Sequence, residues 1–212
     1  ASCLLSPGAG PDQMVVELRT CAEGQYPDEW LVAGVFSADQ FPDGKPNKAF
    51  LDEAFPNTPV YLHEWSLHHA LVNSKALEVA GVDATTPSPL GGNLPKDEAG
   101  ELTGELVEMA TWLVTQHIPL SPQEVNERVV GWASEQCSKY GITSAQEAAA
   151  NELALEALRA VDERGDLNLR VAAHLILKSP KFGNVPNDAL EQLFADRENR
   201  HGGESCLDAF FS

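Results

Sequence analysis

Apolar residues follow two alternating patterns along the chain, short continuous runs and longer helical repeats. The short runs predict strands at residues 29–36, 60–64, 142–148 and 167–177. The helical repeats predict helices at residues 11–24, 48–54, 66–81, 105–117, 121–141, 151–165 and 186–199. Strands that alternate with helices are typical of parallel sheets with helical crossovers, so the pattern predicts an α/β fold. An open sheet and part of a (β/α) barrel both agree with it.

The predicted helix at 66–81 contains unusual polar residues. Its sequence, "SLHHALVNSKALEVAG", follows the apolar strand "VYLHE" and ends at a glycine, which is a common helix stop. Asn and Ser are mediocre helix formers because they compete for backbone hydrogen bonds. Ligands of α/β folds bind beyond the carboxyl ends of the strands, where His63 and Glu64 lie. We therefore expect the polar residues of this segment to face a cavity.

Two other segments carry clear local signals. Ser121 and Glu124 have the spacing of a capping box at the start of helix 121–141. The i, i+4, i+7 spacing on that helix predicts one buried face, formed by Val125, Val129 and Trp132. Residues 83–104 are rich in proline and glycine and predict a loop of about 20 residues, a length that is usually functional or disordered.

The length of the chain limits the number of its domains, and its charge limits the classes of partner that it can bind. The 212 residues are enough for one large domain or two small ones, and we treat 1–212 as a single α/β region. The net charge of −18 argues against nucleic acid and anionic membranes as partners, because phosphates attract basic surfaces. The acidity favours solubility, with an acidic face for a cationic partner as the alternative. No apolar run reaches the length of a membrane span, and no signal peptide opens the sequence.

The four cysteines are far apart and form no CxxC pair. A disulfide scaffold is unusual in a chain of this length, so we expect reduced thiols and a cytoplasmic protein. The residues are Cys3, Cys21, Cys137 and Cys206.

Spacing alone identifies no catalytic motif. The sequence has no phosphate-binding loop, no GxSxG and no HExxH. His63, His68 and His69 are close in sequence, but a strand end and a helix would not direct them to one metal, so no metal site is expected from them. His174 lies in an apolar strand and is predicted to be a satisfied core residue.

Two further polar residues leave alternatives open. Glu108 lies either on a solvated helix face or in a pocket. Asn73 either hydrogen-bonds a neighbouring loop's backbone or lines the pocket.

A set of ordered motifs lies between residues 50 and 110, and the segments "YGITSAQEA" and "LNLRV" follow it. The motif positions are Leu51, Asp52, Pro56, Pro59, Val60, His68, Val72, Asn73, Ser74, Ala76, Leu77, Gly81, Pro89, Gly91, Gly92, Asp97, Gly100, Thr103, Gly104, Leu106, Glu108 and Ala110. Together they resemble the amidohydrolase 3 family of metal-dependent hydrolases, which includes N-substituted formamide deformylase, and the two later segments resemble the family's next two barrel strands.

The resemblance implies part of a (β/α)8 TIM-like barrel together with the family's inserted α/β segment. It implies hydrolysis of a non-peptide, amide-like C–N bond in a small molecule by a metal-activated water. His68, Asn73 and Glu108 would then line the substrate side of the pocket, and none of them would bind the metal.

The family's metal ligands do not match this sequence. Its HxH pair would precede residue 1, and its later Lys, two His and catalytic Asp would follow residue 212. A divalent metal, with zinc as the first candidate, is therefore expected in a longer parent protein. None is expected in this piece, which would be inactive alone.

The alternative is a metal-free α/β module, derived from the family, that binds a small molecule or a partner protein. Strand edges and apolar faces cut from a barrel also predict self-association.

Overall fold

A computed structural model of the chain describes residues 3–23 and 29–175, together with the strand backbone at 178–179, 183–184 and 207–211. The chain divides into two compact units, Ala1–Pro119 and Leu120–Ser212. The α/β class is confirmed, because strands and helices alternate in both units. That the whole of 1–212 acts as a single α/β region stays a prediction.

The first unit is built on one six-stranded mixed sheet, with the strand order β1-β2-β3-β4-β6-β5. Strands β1 to β3 are parallel, whereas β4 is antiparallel to both β3 and β6, and β5 is antiparallel to β6. The strands are β1 (Cys3–Leu4), β2 (Leu31–Phe36), β3 (Val60–Glu64), β4 (His69–Val72), β5 (Gly92–Asn93) and β6 (Glu105–Glu108). The prediction of parallel strands throughout is wrong here, because a turn as short as 65–68 can join only antiparallel strands.

The described residues of the first unit also form four α-helices and two 3-10 helices, Ala38–Gln40 and Pro42–Gly44. The longest, α1, begins at Pro11, where the missing N–H of proline would have had no partner in the helix. The helices are α1 (Pro11–Ala22), α2 (Ala49–Ala54), α3 (Ser74–Ala80) and α4 (Thr111–Thr115).

The predicted helix at 66–81 is wrong in its first half. Residues 69–72 form strand β4, and only α3 is helical. Ala70, Leu71 and Val72 are all fully buried, because β4 pairs with a strand on each side and has a core on each face. A short apolar run of this kind has no periodicity that separates strand from helix. The predicted stop is correct, since Gly81 adopts φ 66° at the C-cap.

The predicted helix at 105–117 is also wrong at its start. Residues 105–108 form strand β6, which pairs with β4, and the helix α4 is only five residues long. Glu108 therefore ends a strand. The pairing with β4 across a long separation in sequence overrides the local helical pattern.

The sheet has a hydrophobic core on each face. Along β3, Val60 and Leu62 belong to one core and Tyr61 to the other, as expected from the alternation of side chains in a strand. The first core also contains Met14 and Leu18 of α1, and the second contains Leu77 of α3. Burial raises the pKa of Tyr61 because its ionised form would lose the solvation of water.

A disulfide joins Cys3 to Cys21, with a Cα–Cα distance of 5.7 Å. The prediction that these thiols are reduced is wrong, because β1 and α1 bring the two cysteines together within the first core. Cys137 is a free thiol, and Cys206 lies outside the described residues.

The second unit has a parallel three-stranded sheet with the order β11-β8-β7 and a separate pair, β10-β9. One core, which includes Leu155, Val161 and Val171, packs helix α6 against the sheet. The elements are α5 (Gln123–Lys139), β7 (Ser144–Ala150), α6 (Glu152–Glu163), β8 (Arg170–Leu175), β9 (Lys178–Ser179), β10 (Gly183–Asn184) and β11 (Leu207–Phe211). The predicted helix at 186–199 lies outside the described residues.

Helix α5 differs from its prediction in two ways. Pro122 occupies the N-cap position, and no side chain caps the helix, so the capping box is not formed. Val129 and Trp132 are 56% and 63% exposed, so the predicted buried face is wrong at these two positions. Within the part of the chain that is described, no helix is both long and apolar enough to cross a membrane.

Candidate functional site

The carboxyl ends of β1, β2, β3 and β6 lie at one edge of the first unit's sheet. The strand β6 is parallel to β3, because both are antiparallel to β4, which lies between them. On this carboxyl edge, the predicted site residues lie at Glu64 and the turn 65–68 after β3, and at Glu108, which ends β6. It is the edge at which α/β folds bind their ligands, and the expected site is therefore assembled from two separate segments.

His68 and Glu108 form a close pair at the carboxyl edge. The His68 Nδ1 atom lies 3.0 Å from Glu108 Oε1 and 3.1 Å from Oε2. The backbone N–H of Glu108 also donates to the carbonyl oxygen of His68 at 2.7 Å. The two side chains are 63% and 50% exposed, so a ligand can reach both of them.

The backbone on both sides of this pair is strained. Glu108 has φ 51° and Leu67, which precedes His68, has φ 64°. This left-handed region is unfavourable for residues that carry a Cβ atom and is more frequent at functional positions. Opposite Glu108 in the sheet register is Gly92, where an added Cβ would lie only 2.4 Å from the Ala110 nitrogen. A glycine is therefore required for β5 to approach β6 this closely.

Glu64 and Ser66 fix the turn that carries His68. Glu64 is only 8% exposed, and its Oε2 accepts hydrogen bonds from both the backbone N–H and the hydroxyl of Ser66. The Ser66 hydroxyl oxygen in turn accepts from the His68 N–H at 3.2 Å. Sequence reasoning marked Glu64 at the strand end but missed Ser66. The spacing Glu-x-Ser directly after a strand is the signal that could have identified this turn.

Asn73 lies at the other end of β4 from His68. Its side chain is fully buried, and all of its recorded partners are backbone groups. Its Oδ1 accepts from Val60 and Ala76 at 3.0 Å each, and its Nδ2 donates to the carbonyl oxygens of Phe55 and Thr58 at 2.9 Å each. Of the two alternatives that the sequence left open for Asn73, hydrogen bonding to the backbone of neighbouring segments is the one observed. Asn73 is also the N-cap of α3. Its predicted contact with a substrate stays a prediction.

His63 and His69, the other two histidines that are close to His68 in sequence, contact different residues. His69 Nδ1 lies 2.9 Å from Glu105 Oε1, and the His63 ring packs edge-on against Tyr61 with centroids 4.9 Å apart. Among the residues that the structure describes, no group of three or more His, Cys, Asp or Glu side chains is arranged to hold a metal. The described residues thus do not fit a metal centre.

A cavity of about 300 Å³ opens near the other end of β4, and sequence reasoning did not find it. Asp52 contacts two of the residues that line this cavity. Its Oδ1 accepts from the Ser74 N–H at 2.6 Å, and its Oδ2 lies 3.3 Å from Lys48 Nζ. The lining residues are Lys48, Ser74, Leu77, Glu78, Val82, Asp83, Ala84, Glu101 and Leu102. Hydrogen bonds from Thr85 and Thr86 lower the pKa of Asp83.

In the second unit, His174 lies on β8 with its Nε2 3.0 Å from the Gln146 Nε2 of β7. Its flanking residue Ala173 is buried in the core, so His174 lies on the opposite face of the sheet. The His174 ring has the hydrogen-bond partner that was predicted. The prediction that it lies in the core is wrong, because the side chain is only half-buried.

Comparison with known proteins supports the fold. The chain resembles two metal-dependent hydrolases of unassigned specificity, from Pyrococcus horikoshii OT3 and Pyrococcus furiosus, with TM-scores of 0.56 and 0.53. The sequence identities are 20% and 21%. The matches cover 92% and 91% of this chain but only 35% and 36% of those proteins.

Curated relatives have a higher sequence identity to this chain than those two solved structures, and they are much longer than the chain. Protein LONG AFTER FAR-RED 3 of Arabidopsis thaliana is 31% identical over 133 residues, which is 62% of this chain and 22% of the relative. The N-substituted formamide deformylase of Arthrobacter pascens is 33% identical over 113 residues, 53% of this chain and 21% of the enzyme. The chain thus spans about a fifth of the length of these curated relatives.

The model of the amidohydrolase family matches residues 4–204, nearly the whole sequence. The chain therefore belongs to the amidohydrolase family.

Proposed function

We propose that this chain is part of a hydrolase that cleaves a non-peptide, amide-like C–N bond in a small molecule. Family membership supports the hydrolase class, and the similarity to an N-substituted formamide deformylase supports the bond type. In this proposal the strands belong to a (β/α)8 barrel with an inserted α/β segment, and the 212-residue chain is inactive alone.

The cofactor that the family implies is a divalent metal ion, with zinc as the first candidate. Since the described residues form no suitable ligand cluster, we assign no step of the reaction through a metal to them. Their proposed contribution is to bind and orient the substrate.

The observation that carries this proposal is the pairing of His68 with Glu108. An ionised carboxylate can only accept hydrogen bonds, so in this proposal we assign the hydrogen of the His68 imidazole to Nδ1, the nitrogen beside Glu108. In neutral imidazole this leaves Nε2 as an acceptor. The proposed role of His68 is to accept a hydrogen bond from the N–H of the substrate amide, and Glu108 holds the ring in the required tautomer.

Asn73 supports this site from a distance. Its hydrogen bonds tie the start of β3 to the start of α3 and thereby fix β4, which begins directly after His68. We keep a direct substrate contact of Asn73 as a prediction, while its positioning role is the one that its contacts favour.

The proposal is tested by measuring the affinity of the 212-residue chain for N-methylformamide by isothermal calorimetry. We expect saturable binding that His68→Ala weakens by about tenfold or more, because a hydrogen bond in the site is lost. His117→Gln is the control, since His117 is an exposed histidine of the same unit and distant in sequence from the turn. Absence of binding, or equal binding by His68→Ala, would contradict the proposal. In the latter case a general small-molecule module becomes the better description.

A further inference from the structure

The cavity beside α3 has no part in the proposed function. Its volume is about 300 Å³, and neither His68 nor Glu108 lines it. Its walls come from α3, from the residues that follow α3, from residues 101–102 and from Lys48 at the N-cap of α2. A concave space of this size is large enough for a small organic molecule.

One wall of the cavity is apolar and belongs to the core. Leu77, Val82 and Leu102 line it and are only 5%, 6% and 6% exposed, as members of the second core of the sheet. The Val82 N–H donates to the Leu77 carbonyl at 2.9 Å, and the Lys48 N–H donates to the Thr103 carbonyl at 2.7 Å. The wall is therefore formed by the fold itself and offers a surface for a hydrocarbon group.

The lysines around the cavity already have partners. Lys48, which lines it, places its Nζ 3.3 Å from Asp52 Oδ2. Lys75, which lies outside it, places its Nζ 3.0 Å from Oε1 of Glu78. Lys96 donates from its Nζ to a backbone carbonyl oxygen at 2.7 Å. An anionic ligand would have to compete with these contacts, so the lysines do not favour one.

The carboxylates that line the cavity have oxygen atoms left over. The ion pair of Glu78 uses only Oε1, and the hydrogen bonds that Asp83 accepts from its own loop all end on Oδ1. Those bonds lower the pKa of Asp83 and so favour its ionised form. In the described part of the chain, the Glu101 carboxylate makes no hydrogen bond or ion pair. All three carboxylates can therefore accept hydrogen bonds from a ligand.

Ser74 also faces the cavity as an acceptor. Its hydroxyl donates to Asp52 Oδ2 at 2.8 Å, and its backbone N–H donates to Oδ1 of the same carboxylate at 2.6 Å. A hydroxyl has a single hydrogen, so its oxygen is left with lone pairs only. The polar side of the cavity is thus rich in acceptors and carries negative charge.

We infer that this cavity binds a small aliphatic primary amine in its protonated form. The ammonium group supplies three N–H donors to the acceptors of the polar side, and the hydrocarbon chain packs on the apolar wall. The net charge of −18 adds a general attraction for cations. The inference does not rest on the proposed function, because the two sites share no residue. The acceptors are Ser74, Glu78, Asp83 and Glu101.

The test is a titration of the ¹⁵N-labelled 212-residue chain with butylammonium chloride, followed by NMR at about 0.15 M salt to screen non-specific attraction. We expect saturable shifts of the amide signals of Leu77, Val82 and Leu102. Butan-1-ol has the same hydrocarbon chain without the charge, and methylammonium has the charge without the chain. Each is expected to bind about tenfold or more weakly, because one half of the site is unused.

Glu101→Gln is the variant that tests the polar side. Glu101 is exposed, so the fold is expected to be retained, while the affinity for butylammonium falls by about fivefold or more. Glu98→Gln is the matched control, because Glu98 is exposed in the same loop, does not line the cavity and changes the net charge equally. It is expected to change the affinity less than twofold.

Four results would overturn the inference. Equal losses in the two variants would show that only the general acidity of the chain attracts the amine. Equal binding of butan-1-ol and butylammonium would show that the cavity does not select a charge. Tighter binding of butyrate would show that Lys48 sets the preference, and the absence of saturable shifts would show that nothing binds. None of these results affects the proposed function, which is tested with N-methylformamide and His68.

Discussion

The His68 imidazole lies within 3.1 Å of both carboxylate oxygens of Glu108, and the backbone of Glu108 hydrogen-bonds the His68 carbonyl at 2.7 Å. The two residues are 40 positions apart in sequence and meet because β4 pairs with β6. One antiparallel pairing thus brings together two of the three residues that the resemblance implied.

Glu108→Gln is expected to weaken amide binding by several-fold without loss of the fold. A glutamine side chain has both a donor and an acceptor, so it no longer fixes the hydrogen on His68 Nδ1. The calorimetric affinity for N-methylformamide checks this. Glu105→Gln is the control, because Glu105 pairs with His69 instead. Equal losses in the two variants would show that the pair at His68 has no special role.

Asn73→Ala is expected to destabilise the first unit by about 3 kcal/mol. The change removes a helix cap and leaves buried backbone groups without their partners. Urea unfolding followed by circular dichroism measures the loss. Asn47→Ala is the control: Asn47 is exposed and accepts one hydrogen bond, from the Ala49 N–H, so a loss of about 1 kcal/mol or less is expected. A similar loss in both variants would contradict the structural role of Asn73.

Removal of the disulfide is expected to cost about 3 kcal/mol of unfolding free energy. The bond closes a loop with a sequence separation of 18, and the cost follows from the additional entropy of the unfolded chain. The double variant Cys3→Ala/Cys21→Ala is compared with the unmodified chain, each with and without dithiothreitol. The reductant is expected to destabilise only the unmodified chain. Cys137→Ala, which removes the free thiol, is expected to retain that sensitivity.

Glu17 is expected to stabilise the fold in a pH-dependent manner. Its carboxylate accepts from the Ser6 N–H at 2.8 Å and from Gln13 Nε2 at 2.9 Å, and these hydrogen bonds lower its pKa. A lowered pKa in the folded state gives stability that is present above the usual pKa of a glutamate and is lost as the pH falls through the folded-state value.

The corresponding measurement is urea unfolding of Glu17→Gln between pH 7 and pH 3. The variant is expected to be less stable than the unmodified chain at pH 7, with a difference that shrinks towards pH 3. Gln13→Ala removes only the donor to the other oxygen and is expected to give a smaller change of the same sign. A difference that is constant with pH would contradict the assigned cause.

The elements that sequence reasoning located correctly are those with strong local signals. Pro11 at the start of α1 and Gly81 at the end of α3 act within one turn of helix, so no tertiary information was required. The segment 69–72 was misassigned because a four-residue apolar run is compatible with either structure. Its two neighbouring strands decide the outcome.

In the candidate site, too, the sequence identified individual residues but not the contacts that depend on tertiary structure. The resemblance supplied His68, Asn73 and Glu108, but it could not supply the pairing of His68 with Glu108 or the separation of Asn73 from both. Those relationships depend on the antiparallel β4, which the predicted helix did not contain. The Cys3–Cys21 disulfide was missed for a similar reason, since β1 and α1 bring the two residues together only in the folded chain.

The most direct test of the central claim is a long-range ¹H–¹⁵N NMR experiment on the His68 ring, with and without saturating N-methylformamide. We expect a hydrogen on Nδ1 in the free chain and a ligand-induced change in the Nε2 resonance, because a new hydrogen bond forms at that nitrogen. Glu108→Gln should abolish the tautomer preference. A ring that is unaffected by the ligand, or one with its hydrogen on Nε2 in the free chain, would contradict the claim that His68 and Glu108 bind the amide.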